Sequence, residues 1–173
     1  MSSPIWIEAV SFAARAHRHG LRKDGRTPYV AHVFRVAMTV RDIFGCDDPI
    51  AITTALLHDT IEDTSTDYDD IEETFGHDVA ECVSALTKNP ALPEHEREAD
   101  YDRRLSLGPW QARLIKLADT HDNYLDMSTN TRPSIEKARA RCERAILLAR
   151  PDVNDHPEVA WAIEIVEQLI AGG

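Results

Sequence analysis

The sequence predicts an all-α fold: a compact, single-domain bundle of about eight or nine helices. Apolar residues recur at spacings of three and four along most of the chain, which is the period of one helix face. No segment shows the apolar–polar alternation at period two that a half-buried strand requires. The length of 173 residues is close to that of one domain. These three observations favour helices packed on helices around one core.

The first two helices are separated by a polar loop. Pro4 suits the first turn of a helix that extends to about Arg18. The segment 20–28 contains two glycines and a proline, which predict a loop. The second helix, over 33–43, has apolar residues at helical spacing and is ended by Gly45.

The middle of the chain contains a third helix, two short helices and one long polar helix. Asp48 and Pro49 supply a capping acid and a first-turn proline for the third helix. Gly76 separates the two short helices, and the polar character of the long one predicts a surface position. These predicted helices span 49–59, 68–75, 78–86 and 92–107.

Three further helices are predicted in the C-terminal part, and each begins at a proline. They span 109–127, 133–149 and 157–170. The first of them has the strongest apolar face, and a turn over 150–156 separates the last two.

The charge of the chain is unevenly distributed. The formal net charge is −11, which argues against binding to nucleic acid or to acidic membranes. The segment 59–81 holds ten acids and no Lys or Arg, whereas the segment 15–26 holds five Lys or Arg and one acid. A small anionic ligand therefore remains compatible with the basic segment, and most of the acidic run is expected to be a solvated face.

The sequence also predicts a cytoplasmic protein. No apolar run approaches the ~18 residues of a membrane span. The N-terminus lacks the basic start and apolar core of a signal peptide. The three cysteines are far apart and form no CxxC pair, so we expect them to be reduced.

Four ionisable residues crowd the end of the third predicted helix. His58 and Glu62 are four residues apart, as are Asp59 and Asp63, so they lie on neighbouring stripes of one helix face. The three carboxylates repel one another and oppose the helix dipole. Such an arrangement indicates a compensating cation, although a solvated acidic helix end would have the same sequence.

Two further residues complete a candidate metal site. His32 stands at the start of the second helix, and Asp119 follows an apolar stretch of the 109–127 helix. An ion pair with Lys116 is the alternative interpretation of Asp119. Two imidazoles and two carboxylates suit a borderline divalent metal and leave coordination positions open for water and substrate. The predicted ligands are His32, His58, Asp59 and Asp119.

The series His32, His58-Asp59, Asp119 is the H…HD…D signature of the HD-domain metal-dependent phosphohydrolases. The chain resembles one branch closely: the ppGpp hydrolase domain of the RelA/SpoT family and its single-domain relatives, the small alarmone hydrolases. The matching segments are 12–17, 22–25, 27–32, 55–64, 75–76 and 116–119 with Asn123. The resemblance implies one HD hydrolase domain over 1–173, with a metal and substrate core at about 5–127 and C-terminal helices at about 133–171.

The resemblance also implies a reaction and roles for further residues. The four ligands would hold one Mn²⁺ ion, and the enzyme would remove pyrophosphate from the 3′ position of (p)ppGpp. Glu62 and Asp63 match the ED motif, whose carboxylates orient or deprotonate the attacking water or serve the leaving group. Arg22 and Lys23 match the RK motif: the Arg would stack on the purine and the Lys would meet the 5′ phosphates. Asn123 would hydrogen-bond the ribose or a phosphate.

The chain departs from its relatives at three places. Many relatives have Pro where this chain has Val33, and they commonly have Arg where it has Leu125. The pair His121-Asp122 is also more polar than the usual residues there. These differences leave open a phosphohydrolase of another nucleotide, such as an adenine alarmone or NADPH, and a non-catalytic nucleotide-binding module. A di-iron oxygenase would need further His ligands, and the oligomeric state is left open.

Overall fold

The computed structural model describes residues 4–127 and 132–172. These residues form ten α-helices and no β-strand beyond an isolated bridge between Leu21 and Pro28. The helices are α1 (Ile5–Ala16), α2 (Val30–Met38), α3 (Pro49–Leu57), α4 (Thr60–Asp63), α5 (Tyr68–Phe75), α6 (His77–Leu86), α7 (Glu94–Leu107), α8 (Trp110–Met127), α9 (Arg132–Ala149) and α10 (Pro157–Gly172). The predicted all-α fold is confirmed.

Local signals set most helix ends. The Asp48 carboxylate accepts a hydrogen bond from the backbone of Ala51, so Asp48 caps α3 as its sequence position predicts. Gly45 and Gly76 have φ angles of 73° and 89°, a conformation that favours glycine and ends a helix. The second predicted helix begins at Val30 and continues past Met38 as one π-helical turn.

The third predicted helix is broken near its end, unlike the continuous helix over 49–59 that the spacing predicted. Asp59, with φ −101° and ψ 1°, separates α3 from the single turn α4. The Thr60 hydroxyl donates to the carbonyl of Leu57 at 2.6 Å, which closes the bend. The bend places His58 and Asp59 side by side at one end of the bundle.

One apolar core connects α1 to α10. Helix α3 is buried on most of its surface, including Thr53 and Thr54, and it packs against α1, α2, α6 and α8. Helix α7 lies at the surface, as predicted, with Tyr101 and Leu105 as its buried residues. The neighbouring helices α2, α3 and α8 therefore form a rigid frame that carries the ionisable residues of the site.

Candidate active site

Three neighbouring helices bring the four predicted metal ligands together. The His32 Nε2 atom lies 3.5 Å from Asp59 Oδ2 and 3.3 Å from Asp119 Oδ1. The His58 Nε2 atom lies 3.1 Å from the same Asp59 oxygen and 3.9 Å from the same Asp119 oxygen. Ligand atoms of His32, His58 and Asp59 thus lie within 4.8 Å of one another, and Asp119 Oδ1 lies within 3.9 Å of both imidazole nitrogens.

The hydrogen bonds of both imidazoles leave Nε2 available as a ligand. The Nδ1 atom of His58 lies 2.8 Å from the carbonyl oxygen of Ala55, to which it donates. The Nδ1 atom of His32 lies 2.6 Å from Asp122 Oδ2. The His58 Nε2 atom is buried and has no hydrogen-bond partner among the described residues. A lone pair facing carboxylate oxygens is unfavourable without a cation, so this donor set fits a divalent metal.

The electrostatics of the cluster lead to the same conclusion. Burial lowers the pKa of His32, but Asp119, Asp122 and Asp59 outweigh burial and raise it to about 10. Burial opposes ionisation of Asp59, yet the neighbouring imidazoles hold its pKa well below the ordinary value. The field that would protonate an imidazole here would also attract a metal ion.

Neighbouring side chains hold the two candidate carboxylate ligands in place. The Tyr29 hydroxyl donates to Asp59 Oδ2 at 2.6 Å. Lys116 Nζ donates to Asp119 Oδ2 at 2.8 Å, and Asn123 Nδ2 donates to Asp119 Oδ1 at 2.6 Å. The ion pair that the sequence offered as an alternative for Asp119 is thus present, but it uses the oxygen that faces away from His32.

Glu62 and Asp63 line the same cavity, which has a volume of about 150 Å³. Glu62 Oε2 accepts a hydrogen bond of 2.9 Å from the backbone N–H of Lys88, which fixes its position. Burial raises the pKa of Glu62 and outweighs the stabilising effect of Lys88. A carboxyl group with a raised pKa is suited to taking up and releasing a proton.

The two residues of the basic loop are placed differently. Arg22 donates to Asn123 Oδ1 at 2.9 Å and to Asp126 Oδ2 at 2.7 Å, so it lies at the edge of the site. Its guanidinium carbon is 5.6 Å from the centre of the Tyr29 ring. Neither Arg22 nor Lys23 is among the residues that line the cavity. Arg22 reaches its edge through the hydrogen bond to Asn123, whereas Lys23 is exposed.

Sequence reasoning gave no role to Tyr29, Lys88 or Asp122, although all three contact predicted site residues. The position of Tyr29 could have been predicted, because it lies three residues before His32 and shares its helix face. The contact of Lys88 is made by its backbone N–H, so the type of side chain does not predict it. Leu125, where the family resemblance led us to expect Arg, is half exposed.

The sequence pattern of the HD domain matches residues 9–146. The chain belongs to the HD-domain family. It is 38% identical over 131 residues to the guanosine-3′,5′-bis(diphosphate) 3′-pyrophosphohydrolase MESH1 of Danio rerio, a match covering 75% of this chain and 73% of that protein. The human protein of the same name is 39% identical over 126 residues, covering 72% of this chain and 70% of that protein.

A solved structure extends the likeness to nearly the whole chain. It is described as a metazoan orthologue of SpoT that hydrolyses ppGpp, and it aligns with a TM-score of 0.79 at 26% identity. The alignment covers 97% of this chain and 96% of that one. The family resemblance that the motifs indicated is therefore confirmed.

Proposed function

We propose that this protein is a Mn²⁺-dependent hydrolase that removes pyrophosphate from the 3′ position of (p)ppGpp and leaves GDP or GTP. The convergence of His32, His58, Asp59 and Asp119 beside the Glu62–Asp63 pair carries this proposal. The names of the MESH1 relatives and the description of the structural neighbour support the same substrate.

His32, His58, Asp59 and Asp119 would hold the metal. A divalent ion bound by these side chains would lower the pKa of the attacking water and polarise a phosphoryl oxygen. The mixed nitrogen and oxygen donors suit Mn²⁺ and its borderline neighbours better than Ca²⁺ or Mg²⁺. Tyr29 and Lys116 would keep the two carboxylates oriented as ligands, because each donates to one of them.

The Glu62–Asp63 pair would move the protons of the reaction. The water oxygen bonds to the phosphorus next to the 3′ oxygen, and the bond between that phosphorus and the 3′ oxygen breaks. One carboxylate of the pair takes the proton of the water, and the 3′ oxygen keeps the bonding electrons and is protonated to a hydroxyl. Two features of Glu62 support this role: its raised pKa and the hydrogen bond that it accepts from the backbone N–H of Lys88.

The dimensions of the cavity suggest how the nucleotide would lie. A cavity of about 150 Å³ is smaller than the roughly 300 Å³ at which small-molecule pockets begin, so it accommodates one end of a nucleotide. The 3′-diphosphate end would enter the cavity, and the base would lie outside it over Arg22. Lys23, exposed on the same loop, would meet the 5′ phosphates there.

We propose that the protein is one domain that acts on a free nucleotide in the cytoplasm. The net charge of −11 opposes binding to nucleic acid. No helix in the described residues is long and apolar enough to cross a membrane. Cys46, Cys82 and Cys142 are buried free thiols, and free thiols suit a reducing compartment.

Product analysis tests the proposal. The protein is incubated with Mn²⁺ and ppGpp, pppApp or NADPH in parallel, and the products are separated by ion-exchange chromatography. We expect GDP and pyrophosphate from ppGpp, and loss of turnover in His58→Ala. Negligible ppGpp turnover beside rapid turnover of another nucleotide would refute the substrate, and Leu125 would then be the first position to examine.

A further inference from the structure

A buried carboxylate outside the predicted ligand set contacts one of the candidate metal ligands. Asp122 is 4% exposed, and its Oδ2 lies 2.6 Å from Nδ1 of His32. The opposite nitrogen of that ring, Nε2, faces Asp59 and Asp119. The His32 imidazole therefore bridges Asp122 and the point where the ligand atoms converge.

An arginine one turn after His32 on α2 holds both oxygens of Asp122. Arg35 Nε donates to Asp122 Oδ1, and one of its terminal nitrogens donates to Oδ2 at 2.9 Å. Such a two-point pair fixes the plane of the carboxylate and favours its charged form. Asp122 is thus held in one orientation, with an anionic oxygen against Nδ1 of His32.

The hydrogen-bond acceptor of His58 is neutral, unlike that of His32. The Nδ1 atom of His58 donates to a backbone carbonyl. A charged acceptor such as Asp122 has two further effects, one on His32 and one on the metal ion. It offsets the positive charge that an imidazole acquires on binding a cation, and it brings a further negative charge close to the ion.

We propose that Asp122, clamped by Arg35, is a positioning residue that fixes the tautomer and orientation of His32 and strengthens divalent-metal binding at the site. This inference rests on the proposed function in that it requires a metal held by His32. It gives a role to the buried ion pair of Asp122 with Arg35 beside His32.

Direct measurement of metal binding tests the role. Metal-free protein is titrated with Mn²⁺ and the free ion is followed by electron paramagnetic resonance. We expect Asp122→Asn to weaken Mn²⁺ binding roughly 10- to 100-fold, and Arg35→Gln to weaken it about 3- to 10-fold. Thermal unfolding of each metal-free variant shows whether the fold persists.

Asp126→Asn is the matched control. Asp126 is on the same helix one turn later and contacts the same arginine at 3.1 Å, but it pairs with Arg35 and Arg22 rather than with His32. We expect its Mn²⁺ affinity to stay within about threefold of the wild-type value, because the hydrogen bond to His32 is retained. Equal losses in Asp122→Asn and Asp126→Asn would overturn the proposal.

A spectroscopic signature separates positioning from general support. In the Zn²⁺-loaded protein, we expect NMR to show a protected proton on Nδ1 of His32 that Asp122→Asn exposes to rapid exchange. Unchanged affinity and unchanged exchange in Asp122→Asn would overturn the proposal. If Asp122→Asn does not fold, the Mn²⁺ affinity of Arg35→Gln tests the proposal. Wild-type affinity in Arg35→Gln would then overturn the proposal.

The two proposals fail in distinguishable ways. Absence of ppGpp hydrolysis by the wild-type protein, with the expected losses of Mn²⁺ affinity, would refute the proposed function alone. Normal hydrolysis, with wild-type Mn²⁺ affinity in Asp122→Asn, would refute the role of Asp122 alone.

Discussion

Replacing Arg113 by Met should lower the free energy of unfolding by roughly 3–5 kcal/mol, the range for removing one partner of a buried ion pair. Arg113 lies near the start of α8, and its Nε and one terminal nitrogen donate to Asp152 at 2.6 and 2.8 Å. The side chains of Arg113 and Asp152 are 10% and 12% exposed. The remaining terminal nitrogen donates to three carbonyls at the end of α7, those of Leu105, Ser106 and Gly108.

The size of the effect follows from what the variant leaves behind. Met fills most of the volume of the arginine stem, so the apolar packing changes little. Asp152 loses both charge-assisted bonds while still shielded from water, and the α7 carbonyls lose their donor. For a chain of this size, roughly 2–4 °C per kcal/mol translates the loss into a melting temperature lower by about 6–20 °C.

Urea unfolding of the metal-free protein measures this difference. Arg150→Gln is the matched control, because it also removes an arginine–carboxylate pair, with Glu167, but those side chains are 58% and 46% exposed. We expect the control to lose at most about 1 kcal/mol. A loss below 1 kcal/mol in Arg113→Met would show that water replaces the buried contacts and would refute the reasoning.

Three further results are expected. Glu62→Gln should lower kcat roughly 10²- to 10⁴-fold with little change in Mn²⁺ affinity, and equal losses in both quantities would assign Glu62 to the metal instead. Mn²⁺ at about 100 times its Kd should stabilise the wild-type fold by about 2.7 kcal/mol; calorimetry should show this shift, and His58→Ala should abolish it. Hydrogen bonds from Thr27 and Arg26 lower the pKa of Asp24 from 3.8 to about 2. The ionised carboxylate therefore stabilises the loop fully above pH 3.8, and this stabilisation is lost as the pH falls through about 2. The carboxylate resonance of Asp24 should titrate accordingly and move back towards 3.8 in Thr27→Val, and a wild-type midpoint near 3.8 would contradict this.

Local chemistry made most of the fold predictable. Asp48, Gly45 and Gly76 mark helix ends through their own backbone and capping properties, and each does so in the structure. The break at Asp59 was not predictable in this way, because the apolar spacing of α3 continues to Leu57 and the acids beyond it keep helical spacing. The Thr60 side chain closes the bend through its bond to Leu57, and α3 packs against α2 and α8.

The candidate site also contains features that the sequence could predict and features that depend on tertiary packing. That His32, His58, Asp59 and Asp119 lie close together could be predicted, because candidate metal ligands are restricted to few residue types and the motif fixes their order. The contact between Asp122 and His32 could not, because it depends on how α8 packs against α2. Helical spacing relates residues on one helix and contains no information about a partner ninety residues away.

Hydrolysis in oxygen-18 water tests the central claim most directly. ppGpp is incubated with the Mn²⁺-loaded protein in enriched water, and the products are analysed by mass spectrometry. Attack of water on the phosphorus next to the 3′ oxygen should place one oxygen-18 atom in pyrophosphate and none in GDP, and a chelator should stop the reaction. Oxygen-18 in the nucleotide, release of orthophosphate in place of pyrophosphate, or full turnover in the presence of the chelator would contradict the account.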